Sequence, residues 1–67
     1  MKIAFIGGGN MAEAMISAIL VKNLGTPDSV TVSDIKEERL QYLKQTYGVK
    51  TTGDNISAIA GNQIVIL

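Results

Sequence analysis

The residues best placed to do chemistry stand near the start of the chain: Gly7-Gly8-Gly9-Asn10-Met11-Ala12, a Gly-x-Gly-x-x-Ala run. It follows the apolar stretch Ile3-Ala4-Phe5-Ile6 and leads at once into a helical pattern. Gly7 permits a tight strand-to-helix turn, Gly9 lacks the Cβ that would keep a phosphate off the backbone, and Ala12 is small enough for the helix to pack close to the strand. The helix that starts there offers unpaired N–H groups and the positive end of its dipole to an anion. This is the order of a dinucleotide-binding turn, with a pyrophosphate against Gly7, Gly8 and Gly9 and the amides of Asn10 and Met11. The Met11 side chain would then lie near the nicotinamide-side ribose. The plain alternative is a flexible turn, with Asn10 as a helix cap and Met11 in the core. Three successive glycines give up more chain entropy than an ordinary turn needs, which favours the close approach of a ligand.

Asp34 lies about 20 residues beyond Ala12, the offset of the acid that accepts from both hydroxyls of an adenosine ribose. A carboxylate there repels a 2′-phosphate, which tilts the choice toward NAD over NADP. Ser33 and Lys36 pull the other way, since a hydroxyl and an ammonium suit a 2′-phosphate. A competing reading makes Asp34-Ile35-Lys36-Glu37 a capping box for the following helix. Asn55 either caps a short helix or touches the adenosine side. Glu37, Glu38, Arg39 and Lys44 read as a solvated helix face, and Tyr42 and Tyr47 as packing residues. There is no Cys and no His, no nucleophile–base pair and no metal cluster, so no catalytic residue is visible.

These residues need elements to hold them. Residues 2–6 form a short, almost continuously apolar run, as a buried parallel strand does. Residues 10–23 read as a helix with Gly25 at its C′ position, and Thr26-Pro27-Asp28 as a turn. Residues 29–33 are β-branched and alternating, hence a strand. Residues 36–47 form a second helix carrying Leu40, Leu43 and Tyr47 on one face, ended by Gly48. Residues 49–52 are a third strand. A brief helix capped by Asp54 or Asn55 runs to residue 60, and residues 63–67 are a fourth strand. The result is an α/β, Rossmann-like doubly wound parallel sheet, β-α-β-α-β-α-β. The first strand is central between the second and fourth, and the third lies outside the second.

At 67 residues and zero formal net charge, the chain is at most one domain. It buries only about 60% of its unfolded surface and is marginal alone. The charge balance gives no footprint for nucleic acid, and no apolar run approaches the ~20 residues of a membrane span. The lack of Cys fits a cytoplasmic protein. The chain stops on the apolar Ile64-Val65-Ile66-Leu67, and its first helix is apolar around most of its circumference apart from Glu13, Ser17 and Lys22. Both features predict further chain or a partner subunit to cover them.

At Phe5-Ile6-Gly7-Gly8-Gly9-Asn10-Met11-Ala12-Glu13-Ala14-Met15 the chain resembles pyrroline-5-carboxylate reductase. The resemblance continues at Gly48-Val49, Thr52-Gly53-Asp54-Asn55 and Gln63-Ile64-Val65-Ile66-Leu67. It implies the NAD(P)H-binding front portion of a longer enzyme that reduces 1-pyrroline-5-carboxylate to proline. The cofactor positions it implies are Gly7 to Met11, Ser33 to Lys36, and Asn55. The substrate pocket and a helical, oligomer-forming domain would lie beyond residue 67, so the segment alone would be inactive. NADP-preferring relatives often carry Asn-Arg after the second strand; Asp34-Ile35 stands there instead. Two rival readings remain open on the residues themselves: a non-catalytic nucleotide-binding module, and a related NADP-dependent reductase or hydroxyacid dehydrogenase.

Overall fold

The computed structural model describes residues 2–62 and 64–66. Its elements are β1 (Ile3–Ile6), α1 (Asn10–Val21), a 3-10 turn (Pro27–Ser29), β2 (Val30–Ser33), α2 (Glu37–Tyr47), β3 (Lys50–Thr52), α3 (Asn55–Ile59) and β4 (Ile64–Ile66). The strands make one parallel sheet in the order β3-β2-β1-β4, the order expected from the alternation. Gln63 and Leu67, the expected ends of the fourth strand, lie outside the described residues, as does Met1.

Register follows from the apolar pattern. Ile3 sits beside Val30 and Ile64, and Phe5 beside Val32 and Ile66. Side chains alternate along a strand, so Ile3, Phe5, Val30 and Val32 share one face. They meet Ile16 and Ile19 of α1 and Leu40 and Leu43 of α2 in the buried core, with Val49. Ala4 points to the opposite face; it and Ala58 of α3 are fully buried, and α3 packs on β1 and β2 there. Small residues at both positions let that short helix come close.

The helix ends refine the expected boundaries. α1 stops at Val21 because Asn23 takes the left-handed conformation (φ 55°). The Leu24 amide then donates to the Ile19 carbonyl (2.9 Å) and that of Asn23 to Leu20 (3.3 Å), a Schellman closure in which Asn replaces the usual glycine. Gly25, expected at that position, is needed for space instead: a Cβ there would lie 2.9 Å from Ser29 Oγ. Gly48 ends α2 as expected, with φ 74°. The outer side of α1 stays uncovered, with Met11 79% and Val21 77% exposed.

Candidate functional site

The sheet reverses its winding at β1. From there the chain goes to β2 and β3 on one side and later to β4 on the other. In open α/β sheets the crevice at such a reversal, at the carboxyl ends of the strands, is where ligands sit. The glycine turn lies at that edge.

Each glycine of the turn is there for a different reason. Gly7 has φ 104°, a conformation costly for any side chain, and its amide extends the ladder onto the Ser33 carbonyl at 2.8 Å. Gly8 is buried; a Cβ there would press on Leu43 Cδ1 at 3.0 Å and Asp34 Oδ2 at 3.3 Å. Gly9 is the N-cap of α1, in extended conformation, and nothing lies within 4 Å of where its Cβ would stand. Neither strain nor packing calls for glycine at that position.

The first intrahelical bond of α1 runs from the Glu13 amide to the Gly9 carbonyl at 3.0 Å. The amides of Asn10, Met11 and Ala12 therefore have no acceptor within the helix. Gly9 brings no side chain to them, so that end of the dipole is open. The alternative in which Asn10 caps the helix is corrected: Asn10 is the first helical residue. Met11 is not core, given its exposure.

Two recesses share Gly9 as a wall. One, of about 200 Å³, is mainly apolar and bounded by Phe5, Ile6, Met11, Met15 and Ile66. The other is charged and bounded by Asn10, Asp34, Lys36, Glu38 and Arg39. An apolar recess, a stretch of bare backbone and a charged recess thus lie in succession along this edge.

Asp34 is tied to the turn. Its Oδ2 accepts from the Gly8 amide (2.8 Å) and its Oδ1 from the Lys36 amide (2.9 Å). These donors, Lys36 first and then Gly8, hold its carboxyl below the usual 3.8, so it is ionised at neutral pH. A carboxylate offers about four acceptor sites, which leaves room for ligand hydroxyls. The capping-box reading is corrected, because α2 begins after Lys36, its cap, with no side-chain bond there. Asp34 stands two residues too early to serve.

Ser33 does not face the crevice. It is fully buried and donates its hydroxyl to Asn55 Oδ1 at 2.6 Å. Its sequence position at the end of β2 suggested the ribose, but strand alternation turns it to the α3 face. There it orients Asn55, which is exposed in the first turn of α3. The cap of α3 is Asp54, whose carboxylate accepts from the Ile56 amide at 2.9 Å. Lys36 and Ile35 are exposed beside Asp34, Ile35 at 93%.

Arg39, Tyr42, Tyr47 and Glu13 were not expected to act together. Arg39 does not belong to a solvated face: its Nε donates to the Gly8 carbonyl and its Nη2 pairs with Glu13 Oε1 at 2.9 Å. The Tyr42 and Tyr47 hydroxyls donate to Glu13 Oε2 at 2.6 and 2.8 Å. Tyr42, Arg39 and Tyr47, in that order of effect, hold the Glu13 carboxyl down to about 2, and Glu13 in turn raises both phenols above 10.0. The available signal was Glu13 itself, a lone acid early in an apolar helix.

Among the described residues no cluster of His, Cys, Asp and Glu is arranged to hold a metal ion, and no helix is long and apolar enough to cross a membrane.

Comparison with known proteins agrees with the resemblance read from the sequence. The chain is 42% identical over 66 residues to the pyrroline-5-carboxylate reductase of Vibrio alginolyticus, covering 98% of this chain and 24% of that protein. It is 39% identical over 67 residues to pyrroline-5-carboxylate reductase 2 of Bacillus subtilis, again covering 98% and 24%. A solved structure of a pyrroline-5-carboxylate reductase from Coxiella burnetii superposes with a TM-score of 0.89 at 31% identity, over 96% of this chain and 23% of that one. The chain thus spans about a quarter of the length of the curated relatives it matches. Residues 2–67 match the family described as NADP oxidoreductase, coenzyme F420-dependent, and the chain belongs to that family.

Proposed function

We propose that residues 1–67 are the N-terminal part of the NAD(P)H-binding domain of a reductase that converts 1-pyrroline-5-carboxylate to L-proline. The observation that carries this reading is Gly9: a glycine with open space at its Cβ position, placed between two recesses and beside three amides that have no acceptor within the helix. The resemblance to pyrroline-5-carboxylate reductases along the whole segment supplies the substrate class.

The geometry supports a role for each residue. Gly7 and Gly8 shape the turn, while Gly9, Asn10 and Met11 receive the pyrophosphate on backbone amides. The Met11 side chain borders the apolar recess on the nicotinamide side. Asp34 accepts from the ribose hydroxyls, Lys36 lies beside it, and Asn55, oriented by Ser33, faces the adenosine side. The ionised Asp34 favours NAD over NADP, because a 2′-phosphate would bring a second negative charge against it. Bound NAD(P)H supplies the hydride that reduces the imine carbon, and a proton is taken up at nitrogen. The substrate pocket and a helical domain that joins subunits into a homo-oligomer belong to the remainder of the protein, which works in the cytoplasm.

The test uses the whole protein that carries this segment. NADH and NADPH are titrated by fluorescence, and 1-pyrroline-5-carboxylate is then added while cofactor oxidation and proline formation are followed. Saturable binding of both cofactors, tighter for NADH, and stoichiometric proline are expected. Failure to bind either cofactor rejects the dinucleotide reading; binding without turnover favours a non-catalytic module.

A further inference from the structure

Gly8 is gripped from both ends by α2 and its leading loop. Its amide donates to Asp34 and its carbonyl accepts from Arg39. Arg39 is itself anchored on α1, the helix that the glycine turn feeds, through Glu13. Glu13 also receives two tyrosine hydroxyls, and the Arg39 guanidinium lies 4.9 Å from the centre of the Tyr42 ring. The contacts close a circuit from the turn to Arg39, to Glu13 one turn into α1, and back along α1 to the turn.

We propose that Arg39 is a positioning residue for the dinucleotide turn, held by Glu13, Tyr42 and Tyr47 so that its guanidinium fixes the Gly8–Gly9 peptide plane. This rests on the dinucleotide reading above. The peptide that follows Gly8 carries the Gly9 amide, so the carbonyl that Arg39 holds sets the direction of an N–H on the phosphate path. Three consecutive glycines leave this peptide free to rotate. A guanidinium with donors in a fixed fork can bridge the Gly8 carbonyl and the Glu13 carboxylate at once. A lysine ammonium carries its three donors on one atom and lacks that rigid fork, so it spans the two acceptors less well.

Positioning predicts a pattern that separates it from direct recognition of a 2′-phosphate. In the whole protein, Arg39→Met is expected to raise the Kd of NADH and NADPH together, by about tenfold each, while kcat at saturating cofactor stays within about twofold. Arg39→Lys should fall between wild type and Arg39→Met. Glu13→Gln keeps the bond to Gly8 but removes the negative charge and one of the two acceptor oxygens that anchor the far end of Arg39, and should raise both Kd values about threefold. It also serves as the test should Arg39→Met not fold. In the double variant the loss should not exceed that of Arg39→Met alone, since both changes cut one circuit. A loss confined to NADPH would show that Arg39 contacts the 2′-phosphate and would overturn the proposal. A lower melting temperature with both Kd values unchanged would overturn it as well, leaving a purely structural link. Wild-type protein that binds neither cofactor would sink the dinucleotide reading itself.

Discussion

Gly9→Ala separates ligand demand from fold demand more cleanly than any other change in the turn. The new methyl enters a region where nothing lies within 4 Å, and the backbone there is extended, with φ −75° and ψ −172°, which alanine adopts freely. Alanine is a poorer N-cap than glycine by roughly 0.5–1 kcal/mol, and the stiffer unfolded chain returns about 0.4–1 kcal/mol. Stability should therefore change by less than about 1 kcal/mol. A phosphate resting on that backbone would be displaced and lose one or two charge-assisted amide bonds, each worth about 1.5–3 kcal/mol. The Kd for NADH should rise at least about tenfold. The neighbours behave oppositely. Gly7→Ala meets the strained φ of 104° and costs about 1–3 kcal/mol. Gly8→Ala presses on Leu43 and costs about 1–3 kcal/mol by overpacking. The assay is thermal melting paired with fluorescence titration on the whole protein. Unchanged cofactor affinity in a normally folded Gly9→Ala variant would refute the placement of the phosphates.

Three further outcomes follow from the same contacts. Ser33→Ala removes the donor to Asn55 Oδ1, whose exposed amide can turn to water, so chemical denaturation should show a loss of only about 1 kcal/mol; a loss above about 3 kcal/mol would mean Ser33 supports more than this bond. Glu13 has its carboxyl lowered from 4.5 to about 2, so its stabilising contribution is full above pH 4.5 and fades as pH falls toward 2. The gap in melting temperature between wild type and Glu13→Gln should be widest at neutral pH and close on acidification, and a gap that widens in acid contradicts the network. Leu43→Ala empties a fully buried position between β2 and the glycine turn and should cost about 2–5 kcal/mol by urea unfolding; a cost below 1 kcal/mol would show that the core collapses readily there.

The sheet order and the site edge were legible in the sequence because one physical signal fixed each of them. Apolar β-branched runs alternating with helical periodicity leave few parallel topologies. The first helix, opening directly on glycine, identifies the edge. The start of the first helix at Asn10 was legible, whereas its end was not, for a local reason. Glycine and asparagine both suit helix ends; Asn23 takes the left-handed turn, and Gly25 serves packing space near Ser29. Ser33 was misplaced because proximity along the chain to Asp34 says nothing about which face of the sheet a side chain takes; alternation does. Arg39 was invisible for a deeper reason. Its partners, Gly8 in the turn and Glu13 on α1, lie 31 and 26 residues earlier, and an i, i+3 pairing with Tyr42 on a charged helix looks like ordinary surface until α1 is docked against it.

A crystal structure of the whole protein with NADH bound would show whether a dinucleotide's phosphates rest on the backbone of the turn between β1 and α1. Phosphate oxygens are expected within hydrogen-bond distance of the Gly9, Asn10 or Met11 amides, with the two halves of the cofactor in the recesses on either side of Gly9. Phosphates seated elsewhere, with those amides facing water, would overturn the placement proposed for them.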